Sequence, residues 1–419
     1  MLLIRNVELE GRNVDIRIEH GRFSAIVPTG THPEWRPARV VDGSGKAITP
    51  AFYNTHTHAA MTLMRGYADD LELMDWLEHH IWPLEARLTE EDVYAGAKLA
   101  MLEMIRSGTV FFADMYWFQR GTLRAALEMG LRASLGLLFI EDGEGKVLER
   151  NLRSNAELLE LVGGGHPLVQ LALAPHSIYA VSEPTLRRIR EQSERDRLPV
   201  HIHLSETAGE VDACRPKHGC TPVEYLDRLG LVDARLIAAH CVALDDADIA
   251  LLSRKQATLC HMPCSNLKLG SGRFRFRDAS VAGCRVTIGT DGACSNNNLS
   301  MIDEMKFAAL SGKSQCGSVT GVTAHEVFEA ATRRGAEAFG IPAGEIVPGR
   351  EADAILWNLN HPALLGFDLI SNLVYAADAG AVDTVICAGR VLMEGCRVPG
   401  EDEIIAAARD RIARLKKLT

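Results

Sequence analysis

No apolar run in the 419-residue chain approaches the length needed to span a bilayer, so no membrane partner is expected. Positive charge is not in surplus either: 45 lysines and arginines stand against 55 aspartates and glutamates, a net charge of −10. A phosphate-backbone binder needs a basic face, so nucleic acid is not expected as a partner, and the negative charge reads as a well-solvated surface. The opening stretch Met1-Leu2-Leu3-Ile4-Arg5-Asn6 turns polar at once and lacks the apolar core and small-residue cleavage site of a secretory signal. Ten cysteines are scattered without a C-x-x-C pair or a disulfide framework. In a chain this large they read as reduced, mostly buried thiols, and a cytoplasmic location is the expectation. Internal repeats and low-complexity segments are missing as well.

What is present is an ordinary globular composition, 47% hydrophobic and 24% charged, in a chain long enough for one large domain and a smaller one. Residues 1–50 read as short strands and turns. Asp15-Ile16-Arg17-Ile18-Glu19 alternates polar and apolar, and His20-Gly21 turns the chain before Phe23-Ser24-Ala25-Ile26-Val27. The texture returns over 346–400, in Ala354-Ile355-Leu356-Trp357 and Thr384-Val385-Ile386-Cys387. One small β-sandwich built from both termini is the reading, with a last helix over 401–419. Between them, 51–345 alternates apolar strand-like runs with amphipathic helices. Eight such runs, at 47–56, 109–115, 132–140, 168–175, 199–204, 235–240, 257–262 and 285–290, predict an α/β fold of the (β/α)8 TIM-barrel type. An open doubly wound sheet is disfavoured, because no Gly-rich phosphate fingerprint follows the first run. Thr89, followed by Glu90-Glu91-Asp92, predicts the start of a helix that Ser107-Gly108 ends.

Barrel chemistry sits at the C-terminal ends of the strands. The first run ends in His56-Thr57-His58, whose two imidazoles share one face of a strand. The fifth is His201-Ile202-His203-Leu204-Ser205-Glu206, with His203 nearer the strand end and His201 assigned to the core or behind the ligands. The sixth ends in Ala239-His240-Cys241, and the eighth in Gly289-Thr290-Asp291-Gly292. Three imidazoles and a carboxylate, from His56, His58, His203 and Asp291, suit zinc, with ferrous iron as the alternative, and are too nitrogen-rich for magnesium or calcium.

These motifs, with Ser265-Asn266-Leu267-Lys268-Leu269-Gly270 and Gly349-Arg350-Glu351-Ala352-Asp353, resemble the amidohydrolase superfamily, in particular its S-adenosylhomocysteine and 5′-methylthioadenosine deaminase branch. His-x-His alone is weak evidence, but the ordered series runs over nearly the whole chain. The resemblance implies one divalent metal on His56, His58, His203 and Asp291, with Glu206 and His240 at the reacting centre. Glu206 would protonate N1 of adenine, Asp291 would orient the nucleophile and accept its proton, and His240 would stabilise the oxygen forming at C6. The fourth run ends Ala174-Pro175-His176-Ser177, without the lysine that bridges two metals in other members, so a single metal is expected.

The resemblance also places His176 and Glu85 on the nucleoside sugar, since a carboxylate suits a vicinal diol. Trp76 packs either against the substrate or in the core. Arginines that receive a homocysteine carboxylate in the family are not matched after the third run. There Glu141-Asp142-Gly143-Glu144-Gly145-Lys146 is acidic, with Lys146 a poor bidentate substitute. Adenosine, 5′-deoxyadenosine and 5′-methylthioadenosine are therefore preferred over S-adenosylhomocysteine, unless Arg150 and Arg153 fold back. The small-molecule nucleoside is the expected partner, and a homo-oligomer is compatible with the chain.

Two rival readings stand beside this one. An aminohydrolase or dechlorinase of a free base or triazine shares the scaffold but has no use for Glu85. A structural protein that has lost its metal would not retain all four ligands and Glu206. A different zinc-deaminase architecture is hinted at by His32-Pro33-Glu34, but Pro263-Cys264 is followed by Leu267 where a second cysteine is needed.

Overall fold

The computed structural model describes residues 1–32 and 34–418. Pro33, inside the His32-Pro33-Glu34 triplet, and Thr419, at the end of the expected terminal segment, lie outside the described residues. Eight parallel strands stand side by side in chain order: Phe52–Thr57, Thr109–Asp114, Arg132–Phe139, Val169–Pro175, Val200–Leu204, Leu236–His240, Thr258–His261 and Arg285–Ile288. All six residues of the second strand and all eight of the third are buried, as expected of strands covered on both faces. The ring closes near its C-terminal mouth, where the Thr290 and Asp291 N–H groups donate to the His56 carbonyl at 3.1 and 3.0 Å.

Local signals explain the helices between strands. Helix Glu90–Arg106 starts on Thr89, whose hydroxyl accepts from the Asp92 N–H while the Asp92 carboxylate returns to the Thr89 N–H. It ends at Ser107, and Gly108 follows with φ +89°, where a Cβ would press on Ile355 and Phe52. That glycine lets the second strand start flush against the terminal sheet. The last helix is Glu401–Leu415.

Strands from the two ends of the chain make a second, eight-stranded mixed sheet. Lys46–Pro50 pairs antiparallel with Ala354–Asn358, with Ile48 opposite Leu356, and so joins the N-terminal strands to the C-terminal ones. Ile4, Ile16, Phe23, Leu356 and Ile386 form its apolar core. The run read as a single strand at 47–56 is two strands: Lys46–Pro50 belongs to this sheet and Phe52–Thr57 to the barrel. Pro50 lacks a donor for a continuing ladder, and the Ala51 N–H turns instead to the Asp353 carbonyl. Arg132, at the base of the third barrel strand, ties the two bodies together. It donates to Asp353 at 2.9 Å and Glu351 at 2.7 Å, and the Tyr53 hydroxyl also reaches the fully buried Asp353 carboxylate. A buried carboxylate so paired holds the barrel floor and leaves the opposite end for chemistry.

All ten cysteines are free. Among the described residues no helix is long and apolar enough to cross a membrane.

Candidate metal centre and active site

Backbone geometry at the barrel mouth is unusual in the places where function was expected. Ser205, His240 and Asp291, at the ends of the fifth, sixth and eighth strands, take positive φ values of +50°, +70° and +61°. Non-glycine residues held there cost of order 1–3 kcal/mol each and concentrate at functional sites. Gly289 is needed for close approach, since a Cβ there would lie 2.7 Å from the His56 amide nitrogen.

Ligand-type atoms of His56, His58 and His203 lie within 4.8 Å of one another, as do those of His56, His240 and Asp291. Both groups share His56 and so mark one centre among the described residues. Asp291 Oδ1 is 3.1 Å from His58 Nε2 and 3.5 Å from His56 Nε2, and His203 Nε2 is 3.4 Å from His58 Nε2. Four donors bound at 2.0–2.1 Å in a tetrahedron would stand roughly 3.3 Å apart, so the spacing fits a zinc-sized cation. His56 Nε2 is buried with no hydrogen-bond partner, an orphan that a cation would satisfy.

Each ring is aimed through its other nitrogen. His58 Nδ1 donates to the Met115 carbonyl at 2.6 Å, and His203 Nδ1 to the His176 carbonyl at 2.7 Å. His56 Nδ1 pairs with His201 Nε2 at 2.8 Å, which puts His201 behind the ligand set. Such partners fix the tautomer and leave Nε2 free for a metal. Burial lowers His56 to about 4 and His203 well below the usual imidazole range, so both present neutral lone pairs at neutral pH. The Asp291 Oδ2 atom accepts from the Ser265 and Ser295 hydroxyls at 2.6 and 2.7 Å, leaving Oδ1 turned to the imidazoles.

Above this cluster lies a cavity lined, among others, by His58, Asp291, Glu206, His240, His176 and Glu85. The structure thus brings every expected site residue to one place; His56 lies just behind the wall and His203 in it. His240 Nδ1 donates to Asn266 at 2.8 Å, and its Nε2 faces Glu206 Oε2 at 3.7 Å. Burial raises the Glu206 carboxyl above its usual range. Glu85 is buried rather than a surface charge, and burial raises it too. Its Oε2 accepts from Trp117 Nε1 at 3.0 Å. Trp76 is buried and lines the same cavity. Beyond the third strand the chain forms helix Lys146–Val162, on which Lys146 turns outward to Glu144 at 2.5 Å and Arg153 to Glu149 at 3.9 Å. Arg150 instead lies 4.9 Å over the Trp117 ring.

Several contributors carry no role in the sequence reading: Trp117, Ser265, Ser295 and Asn266. Ser265 and Asn266 fall inside a quoted motif, and Trp117 stands just past the second strand's end, where barrel chemistry gathers. The contacts of Trp117, Ser265 and Asn266 are tertiary and leave no local signal, whereas Ser295 stands only four residues from Asp291.

A parallel barrel whose mouth gathers a carboxylate and three imidazoles, each aimed through its other nitrogen, defines the class of barrel enzymes that work with a bound metal. The comparisons narrow the class. The amidohydrolase family model matches residues 47–392, and the chain belongs to that family. It is 48% identical to a 5-methylthioadenosine/S-adenosylhomocysteine deaminase of Archaeoglobus fulgidus, over 99% of each chain. It is 45% identical to a 5′-deoxyadenosine deaminase of Methanoregula boonei, over 90% of this chain and 86% of that one. Among solved structures, an adenosine deaminase of Xanthomonas campestris with bound zinc superposes with a TM-score of 0.93 at 34% identity, over 99% of this chain and 98% of that one.

Proposed function

We propose that this protein hydrolytically deaminates adenine nucleosides, exchanging the 6-amino group for oxygen and releasing ammonia. The observation that carries the reading is the single cavity onto which the ligand cluster, the facing pair Glu206 and His240, and the buried carboxyl of Glu85 all open. His56, His58, His203 and Asp291 would hold one divalent cation, zinc in this reading, which acidifies the attacking water.

The chain's own groups account for the remaining proton traffic. Burial makes Glu206 hold its proton more tightly than a solvated glutamate, which suits a group that gives it to N1 of adenine. Protonation there makes C6 electrophilic. Asp291, with one oxygen held by two serines, turns the other to the metal centre, where in this reading it orients the nucleophile and takes its proton. His240, held by Asn266, turns Nε2 toward the oxygen that forms at C6. Glu85 accepts from Trp117 and also meets the buried Tyr116 hydroxyl, and in this reading its carboxyl receives the ribose diol, with His176 on the same cavity wall.

Leu138 and Ile140 give the cavity wall an apolar stretch, which in this reading receives a small 5′ group such as hydrogen or methylthio. One relative is named for 5′-deoxyadenosine, in line with that choice, and another for 5-methylthioadenosine and S-adenosylhomocysteine together. S-adenosylhomocysteine is the second reading, favoured by Arg150 over Trp117, which places one cation beside the cavity wall.

The diol contact is open to test. A 2′,3′-dideoxy analogue leaves a buried carboxyl without its diol donors, at a cost of roughly 1–3 kcal/mol, so kcat/KM should fall roughly 5- to 150-fold relative to adenosine. Glu85→Ala should erase that difference, lowering adenosine to the level of its dideoxy analogue. Equal kcat/KM values for both nucleosides on the wild-type enzyme would remove Glu85 from the sugar site.

A further inference from the structure

Helix Ala208–His218 begins two residues after Glu206, with Thr207 as its N-cap. Thr207-Ala208-Gly209-Glu210 has the form of a capping box, in which the acid three residues on returns to the cap residue's own N–H. Four other helices in this protein do so. Asp92 accepts from the Thr89 N–H, Glu224 from Thr221, Asp248 from Asp245 and Glu326 from Thr323. Glu210 departs from the pattern. The Thr207 hydroxyl accepts the Glu210 N–H at 3.2 Å, but Glu210 Oε2 passes the cap and accepts the N–H of Glu206 at 2.9 Å.

The placement is costly. Glu210 is buried, its Oε1 has no hydrogen-bond partner, and burial pushes the carboxyl up to about 7. An unsatisfied buried carboxyl oxygen is destabilising, and the helix start is already capped by the Thr207 hydroxyl without this placement. What the departure does serve is the turn that carries Glu206. Ser205 takes φ +50° immediately before it, a conformation that needs outside support. The Glu206 side chain is weakly held by its own contacts, 3.4 Å to the Ser271 hydroxyl and 3.7 Å to His240 Nε2. Its direction is therefore set mainly by its backbone.

We infer that Glu210 is a positioning residue: its carboxyl fixes the Ser205–Glu206 turn and thereby aims the Glu206 carboxyl at the substrate ring. The inference rests on the reading of Glu206 as the proton donor. Glu210 does not line the cavity and is not among the converging ligand atoms, so it reaches the chemistry through the Ser205–Glu206 turn.

A double-mutant cycle separates the two claims. In Glu210→Ala, kcat should fall about 10- to 100-fold, the scale of a group displaced by about 1 Å. KM and metal content should stay within about twofold, because neither the sugar contacts nor the ligands are touched. Glu210→Gln, whose amide oxygen still accepts the Glu206 N–H, should recover most of the rate. In a Glu206→Gln background, Glu210→Ala should cost less than about twofold further, because the group it aims is already silent. If Glu210→Ala does not fold, Glu210→Asp, one methylene short of the N–H, is read in its place with the same expected split. An unchanged kcat, a fall accompanied by metal loss, or a full additive cost in the Glu206→Gln background would overturn the inference. Near wild-type turnover by Glu206→Gln alone would instead overturn the reading of Glu206 and leave the geometry of the turn untouched.

Discussion

Glu206→Gln is expected to lose about 100- to 10,000-fold in kcat while retaining its metal, the range in which a general acid–base group contributes. Glutamine matches the side chain in shape and can keep the contact with Ser271, but it has no proton to give to a ring nitrogen. The backbone N–H that Glu210 engages is unchanged, so the turn survives. Glu206 is outside the groups of converging ligand atoms, so metal content should not respond. Steady-state rates from the loss of adenine absorbance, with elemental analysis of the same preparation, read both quantities. A variant that turns over at close to the wild-type rate contradicts the assignment.

His203→Ala should act in the opposite way, through the metal. His203 supplies one of the converging Nε2 atoms, 3.4 Å from that of His58. It is oriented from behind by the His176 carbonyl, and burial keeps it neutral. A catalytic zinc site typically rests on three protein ligands and an open position, so removal of one imidazole should drop the metal from about one per chain to near zero. Turnover should then fall well over about 1,000-fold, because water outside a metal's influence is a poor nucleophile at neutral pH. His201→Ala provides the graded comparison. It removes only the partner of His56 Nδ1, and groups of that kind are worth about 10- to 100-fold in metal affinity. Equal metal loss in both variants, or none in His203→Ala, would mean that the ligand set is misassigned.

The residues that carry the chemistry were legible because each stands at the end of a buried strand, where a histidine or aspartate interrupts an apolar run. His56, His58, His203, His240 and Asp291 all have that signature, and the strand periodicity places them at one mouth. Thr89 and Asp92 were legible for a different reason, since a capping box is a local event within four residues. Where a residue's partner is distant in the chain, the sequence is silent. Trp117 meets Glu85 across 32 positions and Arg150 reaches Trp117 from a later helix, so neither contact leaves a periodic trace. The break at Ala51 was hidden because Ala47-Ile48 and Phe52-Tyr53 read as one strand across it. Pro50 was its single local sign. Glu210 was hidden in plain view: its spacing from Thr207 reads as an ordinary cap, and only the geometry shows its carboxyl on a different N–H.

The central claim is that the 6-amino group of an adenine nucleoside leaves as ammonia from this cavity. Its most direct test is to incubate the purified protein with 5′-deoxyadenosine, and in parallel with free adenine, and to follow nucleoside product and ammonia together. The account predicts one ammonia for each 5′-deoxyinosine formed, with the glycosidic bond intact and free adenine turned over far more slowly. Release of adenine without ammonia, or deamination of free adenine as fast as of the nucleoside, would contradict it.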